Sequence, residues 1–173
     1  MKEEFLRWLN GLSHPESVEQ FRRCCGAESW CQSMAACRPF SSFASLHDNA
    51  DQVFDKLVAK DWLEAFAAHP PIGQLHSSQR RQVGNREWSA KEQSGVAAAD
   101  QATLVLLAEA NQAYRDKFGY TFIICATGKS ANQMLDSLRR RLQNHPDEEL
   151  GQAAGEQRLI THLRLEKIVW PPA

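Results

Sequence analysis

The chain has 173 residues, enough for one core, and 43% of them are apolar, an ordinary share for a soluble globular protein. Its net charge of −1 gives no global argument for a nucleic-acid or anionic-membrane partner. The longest apolar stretches, such as Ala97–Ala99 and Thr103–Ala108, are far too short to cross a bilayer.

The N-terminal "MKEEFLRWLNGL" has early acids and no long apolar core, so it does not read as a signal peptide, and a cytoplasmic location is expected. Pro15 to about Cys37 forms a first long helical segment, with Val18, Phe21, Cys25 and Trp30 as buried positions, closed by Arg38-Pro39. Ser41 or Ser42 caps the next helix, which carries Phe43, Leu46, Val53, Phe54 and Leu57. Asp61 caps a short helix, Trp62–Ala68, that delivers His69 to a Pro70-Pro71 corner. A polar loop follows, Gln74–Trp88. Ser89 begins the longest helix, which runs to about Lys117 and stops at Gly119, as glycine does just past a helix end.

"YTFIICAT", Tyr120–Thr127, is β-branched and aromatic, and propensity favours a strand. It has no partner strand, so the better reading is a buried extended connector over about residues 120–127. Its peptide groups must then bond elsewhere, which makes it a candidate ligand-binding wall. Ser130–Asn144 is the next helix, stopped by Pro146, and Asp147–Val169 is the last. The expected architecture is an all-α, single-domain helical bundle over residues 1–173.

Five cysteines without a C-x-x-C pair, in a chain whose N-terminus does not read as a signal peptide, argue for reduced thiols acting as small buried hydrophobes. His69 at a helix C-terminus sits where the macrodipole favours the imidazolium, a useful state for a general acid. A bland role, bonding the last helix carbonyls, competes with it. Ser89 and Glu92 have the spacing of a capping box. The same helix start is also an anion or polar-group site. "ATGKS", Ala126–Ser130, fails the phosphate-loop spacing, and Ser130 with Gln133 is explained as a second capping box. "RRR", Arg139–Arg141, points in three directions on a helix, so a solvated face is the default. Arg164, among Leu159, Ile160, Leu163 and Leu165, can point inward at a carboxylate.

"HPPIG" at His69, "SAKEQ" at Ser89 and "KFGYTFIICATGKS" at Lys117 occur in this order and resemble the OHCU decarboxylases. "RPF", Arg38–Phe40, and the closing "ITHLRL" resemble the same family, so the likeness covers almost the whole chain. The chain differs in a somewhat longer loop between His69 and Ser89, and in reading Ser94-Gly95 after Gln93. The resemblance implies decarboxylation of 2-oxo-4-hydroxy-4-carboxy-5-ureidoimidazoline to S-allantoin in urate breakdown. By the same resemblance, His69, Glu92 and Arg164 are catalytic. Substrate-binding residues are Pro70, Ser89, Ala90, Lys91, Glu92 and Gln93, together with Phe122, Ile123, Ile124, Cys125 and Ala126. The resemblance also implies a homodimer, in company with a urate oxidase and a hydroxyisourate hydrolase.

No metal or cofactor is expected. The conjugated ring of such a substrate can absorb the electrons that decarboxylation releases, and the chain carries no fingerprint for pyridoxal phosphate, thiamine or a metal. The protein's task is then orientation and delivery of one proton to one face. Two other readings compete. A non-catalytic helical interaction module needs an exposed apolar groove or charged face, and no segment shows an excess of either. A cysteine hydrolase using Cys125 and His69 is disfavoured, because Cys125 has no sequence neighbour to lower its pKa.

Overall fold

A computed structural model describes residues 2–72, 88, 92–97 and 99–168. Nine helices follow one another among them: α1 Lys2–Gly11, α2 His14–Cys24, α3 Glu28–Ala36, α4 Phe43–Phe54, α5 Ala59–Ala67, α6 Ser94–Ala97, α7 Gln101–Phe118, α8 Ala131–Arg141 and α9 Pro146–Leu165. No described residue is in a strand, so the fold is all-α. The chain forms two compact units, Met1–Ala65 with Arg158–Ala173, and Phe66–Gln157.

In the first unit the expected Pro15–Cys37 helix is two helices. Cys25 and Ala27 are both extended, and with Gly26, a poor helix former, they break the run between α2 and α3. Ser13 and Glu16 form a complete capping box at the start of α2. Ser42 caps α4 with Ser45, and that helix ends at Phe54, short of Leu57. α5 starts two residues before Asp61. The Asp61 carboxylate reaches back to the Val58 N–H at 3.0 Å, the return half of a capping box.

Aromatic rings fill this unit's core. Trp30 stacks on Phe54 at 5.2 Å between centroids, Phe54 stacks on Trp62 at 5.4 Å, and Phe21 meets Trp30 edge-on. Arg158 lies over the Phe54 and Trp62 rings and pairs with Asp55 at 2.7 Å. The "RPF" segment closes α1. The Arg38 guanidinium donates to the Leu9 and Leu12 carbonyls at 2.9 and 2.6 Å, and Asn10 exchanges two hydrogen bonds with the Phe40 backbone. Cys24, Cys25 and Cys31 are buried, as expected. Burial pushes Cys25 up to about 11.

In the second unit the expected Ser89–Lys117 helix is interrupted. Asp100 is extended and accepts from the Thr103 N–H at 2.7 Å, so a new helix, α7, starts there. The longest described helix is instead α9. Gly119 ends α7 in the left-handed region, φ 81°, with its N–H on the Arg115 carbonyl. Ser130 and Gln133 form the capping box the sequence promised, and α8 stops at Arg141. Pro146 opens α9 rather than only stopping its predecessor, and Asp147, Glu148 and Glu149 occupy its first turn, where the macrodipole favours acids. Most of the expected Gln74–Trp88 loop lies outside the described residues; Trp88 itself is buried.

Candidate active site

In the second unit, residues within or next to the three distant motifs share one core. Ile72, three residues past His69, is buried in the same apolar cluster as Val96, four past Glu92, and as Phe122, Ile124 and Ala126 of the connector. Leu107, Tyr114, Met134, Leu135 and Leu138 complete the cluster from α7 and α8. Asn111 of α7 ties the corner down, with its Nδ2 3.4 Å from the Ile72 carbonyl. The Phe66 ring lies 5.1 Å from that of Tyr120.

His69 stands just beyond α5. Its N–H donates to the Phe66 carbonyl at 3.0 Å, a tightened last turn. The residue is half-buried, and its Nε2 is shielded from solvent. Pro70 is also half-buried. Glu92 and Gln93 are buried, at 8% and 7% exposure. Ser89, Ala90 and Lys91 lie outside the described residues, so the Ser89–Glu92 capping box does too.

Gly95 explains the Ser94-Gly95 reading. A Cβ there would fall 2.0 Å from the Lys129 carbonyl oxygen, so only glycine lets α6 approach the end of the connector this closely.

The connector matches its expected character: Phe122–Ala126 are all buried, and neither helix nor strand covers them. Its peptide groups have found polar side chains. The Ile123 carbonyl accepts from Arg141 at 2.7 Å, the Cys125 N–H donates to Glu156 at 2.7 Å, and the Cys125 carbonyl accepts from Lys129 at 2.6 Å.

Arg141 corrects the expectation of a solvated arginine run. Arg139 and Arg140 are exposed, but Arg141 is 1% exposed and pairs with the fully buried Glu149 at 2.6 Å. The Arg141 guanidinium also covers the Phe122 ring at 4.6 Å. The Tyr114 hydroxyl donates to Glu149, and Asn144 donates to its other oxygen at 2.8 Å. Burial and the Glu149 carboxylate hold the Tyr114 phenol far above its usual value, so it remains a donor. Such a pair survives burial only with its remaining sites satisfied, and here they are.

None of Tyr114, Arg141, Glu149 and Glu156 figured among the site candidates. A signal for Arg141 existed: Met134, Leu138 and Arg141 fall at helical spacing on one buried face.

The Cys125 thiol is pushed up by burial, with Glu156 and Glu92 adding to the effect and Lys129 opposing it. A thiol held protonated is unsuited to nucleophilic attack, so the cysteine-hydrolase reading loses its support. The same electrostatics bring Glu92 into range of the connector. Arg164 belongs to the first unit, where it is 2% exposed; its charge lowers the pKa of the Cys25 thiol. Among the described residues no group of three or more histidine, cysteine, aspartate or glutamate side chains could hold a metal ion.

Comparison with known proteins bears on this arrangement. A model of the family described as OHCU decarboxylase matches residues 10–166, running through both units. The chain is 36% identical over 150 residues to the uric acid degradation bifunctional protein TTL of Arabidopsis thaliana, covering 87% of this chain and 46% of that one. It therefore spans about half the length of that relative. It is 28% identical to the 2-oxo-4-hydroxy-4-carboxy-5-ureidoimidazoline decarboxylase of Amia calva, covering 97% of this chain and 96% of that one. Among solved structures, an OHCU decarboxylase crystallised in the presence of (S)-allantoin superposes with a TM-score of 0.74 at 35% identity, over 86% of this chain and 96% of that chain. With one family model spanning the helices that carry His69, Glu92 and the connector, the chain belongs to the OHCU decarboxylase family.

Proposed function

We propose that this chain is a carboxy-lyase that decarboxylates 2-oxo-4-hydroxy-4-carboxy-5-ureidoimidazoline to (S)-allantoin in urate breakdown, without a cofactor. The observation that carries the reading is the convergence of Ile72, Val96 and the connector on one core, which gathers the His69, Glu92 and Phe122–Ala126 motifs in one unit.

Loss of carbon dioxide leaves an electron pair that the substrate's conjugated ring absorbs. One carbon must then be protonated from one side. His69, braced by Pro70 and by its own N–H bond to Phe66, is the donor. Glu92 positions the polar substrate beside the Ser89–Gln93 motif, and Pro70 with Phe122–Ala126 lines its binding wall. Arg164 is a third catalytic assignment, supported by the resemblance of its "LRL" setting. We take residues 1–173 to act as one domain of this family, because a single family model runs from 10 to 166.

A homodimer fits the exposed Val105 and Leu106 of α7, which offer apolar surface to a second copy. A cytoplasmic location fits five free thiols.

The test generates the unstable substrate from urate in situ and follows product chirality by circular dichroism. Spontaneous decay gives racemic allantoin. Addition of this protein is expected to give an S excess that grows with enzyme concentration; a racemic product at every concentration overturns the reading.

A further inference from the structure

α9 runs along the connector. Glu149 and Glu156 are seven residues apart on it, two turns on one face, with the fully buried Ala153 between them. Glu149 fixes Arg141, which holds the Ile123 carbonyl, and Glu156 takes the Cys125 N–H directly. Lys129 returns from the following turn to the Cys125 carbonyl, so a carboxylate and an ammonium grip one residue at both of its backbone groups.

In extended backbone a residue's N–H and C=O share one edge, and those of its neighbours share the other. Ile123 and Cys125 therefore put their polar groups on the edge that the charged side chains occupy. Under the proposed function the opposite edge, that of Ile124, is the one left to turn to substrate.

We propose that Glu156 and Lys129 are positioning residues, whose grip on Cys125 sets the register of the Phe122–Ala126 wall against the substrate. The proposal rests on the function argued above. Both bonds are charge-assisted, stronger and shorter than neutral ones, and suit a segment that has no sheet to hold it. A wall that binds ground state and transition state alike acts on KM, whereas a group that moves the proton acts on kcat.

The test compares Glu156→Ala, Glu156→Gln and Lys129→Met with wild type, reading KM and kcat for the substrate made in situ and the inhibition constant of (S)-allantoin. Glu156→Ala is expected to raise KM and the allantoin constant in parallel by roughly tenfold to a hundredfold, with kcat changed by less than about threefold. Glu156→Gln keeps an acceptor for the Cys125 N–H and should recover most of that affinity. A folded Glu156→Ala enzyme with unchanged KM overturns the proposal, as does a Glu156→Gln enzyme with KM raised as much as in Glu156→Ala.

If Glu156→Ala does not fold, Lys129→Met decides, since it releases the carbonyl grip without burying a charge; an unchanged KM there is the overturning result. If wild type makes no (S)-allantoin, the functional reading fails on its own. The grip is then read by amide hydrogen exchange at Cys125. Slow exchange in wild type and Glu156→Gln with fast exchange in Glu156→Ala supports the grip, and equal exchange in all three overturns it.

Discussion

A ring nitrogen shielded from solvent, two residues beyond a helix and in front of two prolines, has few orientations open to it. Under the proposed function that restriction is what lets His69 deliver a proton to one face, and it yields a residue-scale prediction. His69→Asn keeps a polar group of similar reach but cannot exchange a proton near neutral pH. Enzyme-dependent (S)-allantoin formation should fall by about 10²–10⁴-fold or more, with the thermal unfolding midpoint close to wild type. The readout is optical, because total allantoin still accumulates as a racemate. A folded variant that retains the S excess at the wild-type rate would assign the proton to another donor. The place of His69 at a helix end was legible because proline and helix-end rules act over a few neighbours. Glu156 was not: it sits in a run of helix-forming residues, and its role depends on Cys125, thirty-one positions earlier in the chain.

Among the elements, caps read well and interruptions did not. Ser42, Ser130 and Gly119 punctuate their helices where the sequence placed them, since a cap is a local hydrogen bond. The break before Asp100 was hidden within a helix-like run, because alanine-rich sequence is equally good helix on either side of a bend, whereas Gly26 at the Cys25–Ala27 break was a signal outweighed by the helical spacing around it. Arg141 failed for a related reason. Three adjacent arginines look alike until Glu149 selects the one on the buried face. The packing of α6 against Lys129 gives the element-scale prediction. Gly95→Ala drives a methyl into a backbone carbonyl rather than a flexible side chain, so the helix or the connector end must shift. A destabilisation of about 1–3 kcal/mol is expected in denaturant titration, together with weaker (S)-allantoin binding as Lys129 moves off Cys125. Wild-type stability in this variant would mean that α6 retreats without cost.

On the scale of the whole molecule, the first unit carries a pH dependence centred on His47. The His47 and His162 rings stack at 4.9 Å and hydrogen-bond through Nδ1 at 2.6 Å, and the far nitrogen of His162 meets Asp51 at 2.9 Å. Burial, then the neighbouring His162, lowers the pKa of His47 below its ordinary 6.5, against the opposing pull of Glu166, Asp51 and Asp48. Between 6.5 and that lower folded value the unfolded chain binds a proton that the folded chain does not. Unfolding free energy therefore falls as pH falls through this window, and the stability from neutral His47 is complete only above it. Thermal unfolding between about pH 7.5 and about pH 5.5 should show a larger loss for wild type than for His47→Gln. Parallel losses would show that carboxylates alone set the acid limit.

The first unit is assembled from both ends of the chain, and this has a consequence for how the protein is made. A ribosome releases Phe21, Trp30 and Phe54 early, but Arg158, Thr161 and His162, which close on Asp55, Cys24 and His47, come after all of residues 66–157. At ordinary elongation rates the interval is on the order of ten seconds. Over that time the nascent N-terminal helices display an open aromatic face and the thiols of Cys25 and Cys31, a natural client for a holdase. A chain truncated after Gln157 freezes this moment. Mapped by mass spectrometry, maleimide should label Cys25 and Cys31 in the truncated chain and leave them untouched in the full one. Equal protection in both would mean that the first sixty-five residues close around their thiols before the tail arrives.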